Sequence, residues 1–265
     1  MEITSDQSRQ FMQLGFQLVD LNAQFVLIDK ASGIGFHDEL EIGNGQELRQ
    51  YGIFSRVQSA LLENKLINNK LYPVHRLDKG TSGLLLFART KEVAQELGAA
   101  FEEGRVQKYY LALSKHKPKK KQGAVKGGME KARRGAWKLG KAKDNYAISQ
   151  FFSAGLGGGY RLFLWRPKTG KTHQLRVAMK SLGSPILGDK LYGCDEKLGE
   201  QGEFCLHAFQ IGFELGGRKF LYTLGEGQVT SLYSGLSQSD LPFEKLGESV
   251  RKYLNPHFFS WPSVS

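Results

Sequence analysis

Apolar residues along this chain recur with two periods, and the switches between them predict the elements. Gln24-Phe-Val-Leu-Ile-Asp-Lys30 is a β-rich run closed by the turn signal Gly33-Ile-Gly35, which predicts a strand. From Gln46 to Lys65, Leu48, Tyr51, Phe54, Val57 and Leu61 are spaced by three and four, the signature of an amphipathic helix. Lys91 to Glu103 repeats it with Val93, Leu97 and Phe101, and Gly104 supplies a C-cap. Leu84 to Phe87 is a continuous apolar run, as in a buried strand, and Gln107–Leu113, Tyr146–Phe152 and Tyr160–Trp165 are strand-like. Thr172 to Leu182 carries Leu175, Met179 and Leu182 on one helical face, with Thr172 as its N-cap. Phe209, Ile211, Phe213 and Leu215 alternate with other residues, and Lys219–Thr223 follows a Gly-Gly turn that makes a hairpin. A helix starts near Glu244. With no internal repeat, heptad or linker, the 265 residues are expected to form one mixed α+β domain, with a core of about 24–225 and a C-terminal extension of about 226–265.

Composition narrows the class. The chain is 40% hydrophobic and 24% charged, as in a globular protein. Two cysteines, Cys194 and Cys205, make no disulfide framework or thiolate cluster. No apolar run reaches the ~18 residues of a membrane span, and Met1–Asp6 lacks the features of an export signal, so a cytoplasmic protein is expected. The net charge of +11 lies in one place. Residues 115–143 hold twelve Lys or Arg (115, 117, 119, 120, 121, 126, 131, 133, 134, 138, 141 and 143) against Glu130 alone, and the rest of the chain balances. Clustered positive charge is the footprint of phosphate binding, so this segment, including Lys119, Lys120, Arg133 and Arg134, points to RNA. Its glycines and weak apolar periodicity suggest a basic insertion loop that leaves the fold, interrupts a sheet and orders on RNA.

Chemistry-bearing patterns are few. The six histidines make no metal-ligand spacing, so no metal is expected. Gly155-x-Gly157-Gly-Gly159 lies between strands and reads as a tight turn, and no Gly-x-Ser-x-Gly elbow occurs. Two clusters stand out. His75-Arg-Leu-Asp78 leads through Gly80-Thr-Ser-Gly83 into the apolar run, which puts a carboxylate at the edge of a sheet; spacing alone favours a turn-capping Asp over a catalytic one. In Lys168-Thr-Gly-Lys-Thr-His-Gln-Leu-Arg176, His173 and Arg176 share a helix face, and Arg176 suits either a catalytic carboxylate or an exposed ion pair.

In order, these clusters resemble the RluA-like family of pseudouridine synthases. His75-Arg-Leu-Asp78 with Thr81-Ser-Gly-Leu-Leu85 is similar to the family's signature loop, whose Asp is catalytic. Lys108-Tyr-Tyr110-Leu-Ala112 resembles its K-x-Y-x-A strand, whose tyrosine lines the uridine pocket. Gly170–Arg176, with Gly183-x-Pro185-Ile-Leu-Gly-Asp189 and Tyr192-Gly193, resembles its G-R-T-H-Q-I-R block, Leu206-His-Ala208 a fourth motif, and Val26–Gly33 the opening strand with its lysine. The resemblance runs from about Phe25 to Phe213. Departures are Lys30-Ala31 in place of Lys-Pro, Lys171 in place of Arg, and Ala178 in place of His. Many relatives carry an N-terminal RNA-binding domain, and with about 24 residues before the first strand none is expected here.

The resemblance implies an α+β pseudouridine-synthase-like domain with a central mixed, mainly antiparallel sheet flanked by helices. It implies cofactor-free isomerisation of uridine to pseudouridine in tRNA, large-subunit rRNA or both, by a monomer. Asp78 is then catalytic, as nucleophile or as base; Arg176 keeps it charged and Tyr110 stacks on the flipped uracil. His75, Arg76, Thr81, Lys108, Lys171, His173 and Gln174 become substrate or RNA contacts, and His207 is structural. Standard glycosidases, by contrast, need two carboxylates, and the Gly-Asp context of Asp189 reads as structural.

Overall fold

The computed structural model describes residues 3–264 except 44–45, 142, 195–203 and 232–242, so part of the C-terminal extension lies outside the described residues. The chain folds as two compact units, Met1–Phe101 and Glu102–Ser265. Helices and mostly antiparallel strands are segregated in the manner of the α+β class.

The first unit opens with α1 (Ser5–Gln13), β1 (Phe16–Leu21) and β2 (Phe25–Lys30). Thr4 and Gln7 form a reciprocal capping box at the start of α1, a signal legible in the sequence as Thr-x-x-Gln. A hairpin follows, β3 (Glu39–Gly43) and β4 (Gln46–Gln50), then α2 (Ile53–Glu63), the short β5 (Tyr72–Pro73), β6 (Ser82–Ala88) and α3 (Lys91–Glu102). β2 pairs with β1 on one side and β6 on the other, and β5 adds to β6, all antiparallel. Every residue of β6 is buried, which is why its sequence runs apolar without alternation. The helix expected over 46–65 begins only at Ile53. Leu48 and Tyr51 are exposed and belong to β4 and the turn after it. Asp38 fixes that boundary, its carboxylate accepting from Gly52 N (3.0 Å) and Arg49 (2.8 Å).

The second unit contains β7 (Gln107–Ser114), β8 (Gln122–Lys131), β9 (Trp137–Gly140), β10 (Tyr146–Gly157), β11 (Tyr160–Pro167), α4 (Gln174–Ser181), β12 (Leu206–Leu215), β13 (Arg218–Thr223), α5 (Glu226–Ser231) and α6 (Phe243–Tyr253). Its strands run β13-β12-β7-β11-β10-β8-β9, each pair antiparallel. The glycine run 157–159 makes the β10–β11 turn with three successive left-handed residues. Register separates the two faces. Tyr110 pairs with Trp165, whose indole N–H reaches Met179 of α4 at 3.2 Å, so Tyr110 lies on the α4 face. Tyr109, Arg166, Gln150 and Phe152 lie on the other face, where Trp261 and Phe259 pack against their rings and Gln150 donates to the Pro262 carbonyl.

The basic segment departs from expectation, since it supplies β8 and β9 rather than a loop leaving the fold. Met129, Trp137 and Leu139 face α4 and pack with Ala147, Val177 and Tyr192, while the charged residues between them point to water. Three buried or packed side chains are too few to register as periodicity amid twelve cations, yet they suffice to dock a hairpin.

Candidate active site

In the first unit, β5 leads into the 75–81 loop and β6 leads out of it. His75 anchors the start: its Nε2 accepts from Leu86 N–H at 3.0 Å and its ring stacks on Phe101, centroids 4.5 Å apart. Leu77 is buried, so the side chains on either side turn outward; Arg76 is exposed and Asp78 half-buried. Asp78 O closes a turn by accepting from Thr81 N (3.0 Å), and the Thr81 side chain is buried. Beneath the loop lies Lys30, with no exposed surface. Its ammonium donates to Ala31 O (2.7 Å) and Lys79 O (3.3 Å), and Ser32 Oγ donates to Gly80 O (2.6 Å). Two side chains from the end of β2 thus hold the backbone that follows Asp78. Burial pushes the Lys30 ammonium down to about 7, against the favourable charges of Asp78 and Asp29; Arg56 acts in the same direction as burial. Burial likewise raises Asp29 to about 6, with Lys30 opposing. Lys79, outside, forms an exposed ion pair with Glu39 at 2.9 Å.

In the second unit, β7 presents Tyr110 and Lys108, both half-buried; desolvation lowers the Lys108 ammonium from its ordinary value. The residues of the Gly170 block gather around α4. Gln174 locks the incoming loop. Its carbonyl oxygen accepts from Thr169 (2.7 Å) and Lys171 N (2.9 Å), and its amide donates to Ile148 O (3.0 Å) and Ser149 Oγ (2.8 Å). Those four bonds fill the hydrogen-bonding capacity of an amide, so Gln174 acts here as a brace. Helix α4 starts after His173, which adopts a left-handed conformation (φ 56°), so Thr172 is not its N-cap. The His173 Nδ1 lies 2.8 Å from the Tyr192 hydroxyl.

Arg176 is 7% exposed and Asp189 1%. Their bidentate pair is flanked by Tyr192 and Phe204, whose ring centroids lie 4.9 and 4.7 Å from the guanidinium carbon. The sequence reads Asp189 as structural, and the structure gives it such a part, holding Arg176, a contact that only the fold makes between residues 13 apart. Lys119, Lys120, Arg133 and Arg134 are exposed, the last two at the β8–β9 turn. Among the described residues no group of three His, Cys, Asp or Glu is placed to hold a metal, and no helix is long and apolar enough to cross a membrane.

The first unit thus holds a half-buried carboxylate on a loop pinned from beneath, and the second an aromatic strand, a fixed arginine and an exposed cationic hairpin. The comparisons give the family. The RNA pseudouridylate synthase family matches residues 24–181. An uncharacterised RNA pseudouridine synthase of Haemophilus influenzae is 47% identical over 199 residues, covering 75% of this chain and 82% of that one. A ribosomal large subunit pseudouridine synthase C of Rickettsia bellii is 42% identical over 142 residues, covering 52% of this chain and 47% of its own length. Among solved structures, human RNA pseudouridylate synthase domain containing 1 superposes with a TM-score of 0.64 at 23% identity, covering 95% of this chain and 98% of that one, a likeness of fold. The chain belongs to the RNA pseudouridylate synthase family, as its motifs imply, and its reaction class is isomerisation.

Proposed function

We propose that this enzyme converts specific uridines to pseudouridine in structured RNA, tRNA or large-subunit rRNA, with Asp78 as the reacting carboxylate. The observation that carries the reading is Asp78 itself, held half-buried at a strand edge on backbone bonded by Lys30 and Ser32. The N1–C1′ glycosidic bond breaks, uracil rotates, C5 bonds to C1′ and loses its hydrogen as a proton while N1 gains one; the product is an isomer, so no cofactor is required to balance it. Asp78 acts as nucleophile or as base, on a loop whose backbone the buried Lys30 holds. Tyr110 stacks on the flipped uracil and assists loss of the C5 proton. Arg176, held by Asp189, supplies positive charge without reorganising. Flipping costs least in a loop or distorted stem, and exposed Arg76 fills the vacated stack. Lys119, Lys120, Arg133 and Arg134 grip phosphates, while Lys108, Lys171 and His173 orient the nucleotide. The two compact units serve one catalytic domain, a reading supported by a family match that runs across their boundary, and the enzyme works as a monomer. The large-subunit target draws support from the name of the Rickettsia relative.

The test is tritium release from C5-tritiated, unmodified tRNA and rRNA transcripts, with Asp78→Asn as control. Release that vanishes in the variant is expected. A folded protein that binds both RNAs and releases nothing, or an active Asp78→Asn enzyme, overturns the assignment.

A further inference from the structure

We propose that Tyr192 is a positioning residue that couples the basic β8–β9 hairpin to the first turn of α4, so that RNA gripped by the hairpin sets the geometry of His173 and Arg176. The proposal rests on the reading of that hairpin as an RNA grip. Tyr192 is 2% exposed, and one side chain meets three parts of the unit. Its hydroxyl accepts from the backbone N–H of Trp137 at 2.9 Å, on the first residue of β9 and three residues beyond Arg134. The same hydroxyl lies 2.8 Å from His173 Nδ1. Its ring carries the Arg176 guanidinium at 4.9 Å and packs with Met129 of β8 and Val177 of α4.

One hydroxyl joins the hairpin main chain to the histidine ring. Trp137 N–H can only donate, so the hydroxyl accepts there, and the same oxygen meets His173 Nδ1 in the sense that the imidazole tautomer sets. His173 also holds a left-handed backbone that a non-glycine residue keeps only when its surroundings dictate it. The Tyr192 contact is part of that surrounding. Because the hairpin end of the link is main chain, phosphate binding at Arg133 and Arg134 acts on it through the turn itself rather than through any one side chain.

Tyr192→Phe removes the hydroxyl and keeps the ring, its packing and its contact with Arg176. The experiment compares wild type, Tyr192→Phe, the Arg133→Ala/Arg134→Ala pair and the triple variant by tritium release from rRNA and tRNA transcripts, with circular dichroism to confirm folding. Tyr192→Phe should lower kcat about five- to tenfold, the scale of one or two hydrogen bonds, and leave KM within about twofold. The arginine pair should raise KM and lower kcat in the wild type, but only raise KM when Tyr192 is Phe. A Tyr192→Phe enzyme with wild-type kcat, or kcat reductions that simply multiply, overturns the coupling. A second readout follows the His173 ring nitrogens by NMR as the same transcripts are added. A shift in the wild type that is abolished in Tyr192→Phe supports the link, and equal shifts overturn it. A wild type that releases no tritium overturns the reaction assigned above, while the NMR comparison still decides the coupling.

Discussion

Arg176 meets Asp189 through two parallel hydrogen bonds, Nε to Oδ2 at 2.7 Å and Nη2 to Oδ1 at 2.8 Å, where neither side chain reaches appreciable solvent. Two charges removed from water are tolerated because each satisfies the other's geometry, and removing one strands the other. Asp189→Asn is therefore expected to destabilise the protein by ~3–5 kcal/mol in urea unfolding, whereas replacing both residues with Met and Leu costs much less. Arg176→Lys should behave like a loss, since an ammonium cannot make the fork. Equal stability of the single and double variants would show that the pair contributes nothing beyond volume.

The buried ammonium of Lys30 gives a pH dependence with a definite sign. Its folded value of about 7 lies below the ordinary 10.5, so between those limits the unfolded chain binds more protons and stability rises with pH. Below about 7 the charged form carries its full desolvation cost. Asp29 works oppositely and lower down: raised from 3.8 to about 6, it makes stability fall as pH climbs through that window. Urea unfolding of wild type and Lys30→Met from pH 7 to 10 should give curves whose separation shifts in favour of the wild type as pH rises. Parallel curves would mean that Lys30 keeps an ordinary affinity for its proton. Lys30→Met should also cut turnover, by freeing the Lys79 carbonyl behind Asp78 and removing the cation near its carboxylate.

The architecture of the basic hairpin decides how its charge should be tested. β8 lies between β10 and β9, so deleting residues 115–143 would strip a strand from the sheet and confound binding with folding. Arg133→Ala/Arg134→Ala leaves Met129, Trp137 and Leu139 in place. The slope of log K against log salt for RNA should flatten by about 0.7 for each phosphate that the variant no longer neutralises. An unchanged slope would assign the two arginines to solubility.

Legibility in the sequence followed how local each determinant was. β6 and α3 could be read because a fully buried strand and an amphipathic helix write their burial into consecutive residues. The β3–β4 hairpin could not: Leu40 and Leu48 are 69% and 60% exposed, so their apolar spacing imitated a helix face while facing water. Asp78 stands out locally as a carboxylate on a Gly-rich loop leading into a buried strand, but its expected catalytic part comes from the family motif and not from that spacing. Lys30 entered only through the family motif, since Asp29-Lys30 at the end of an apolar run resembles a solvated strand terminus. Its burial is a product of the 78–80 loop closing over it. Asp189 and Trp137 were illegible as partners for the same reason, as each acquires its role from a contact with Arg176 or Tyr192 that no spacing encodes.

Residues 255–264 cross the sheet face that bears Tyr109, Phe152 and Arg166, and Val264 O accepts from Lys126 on β8 at 2.8 Å. That face is sealed by residues that follow every strand of the unit in the chain. During synthesis every strand of the second unit exists before its cover does, so a nascent chain displays an aromatic sheet surface until residue 264 has emerged. The interval is a vulnerable one for self-association, and it ties the yield of folded enzyme to the speed with which a short aromatic segment finds its seat.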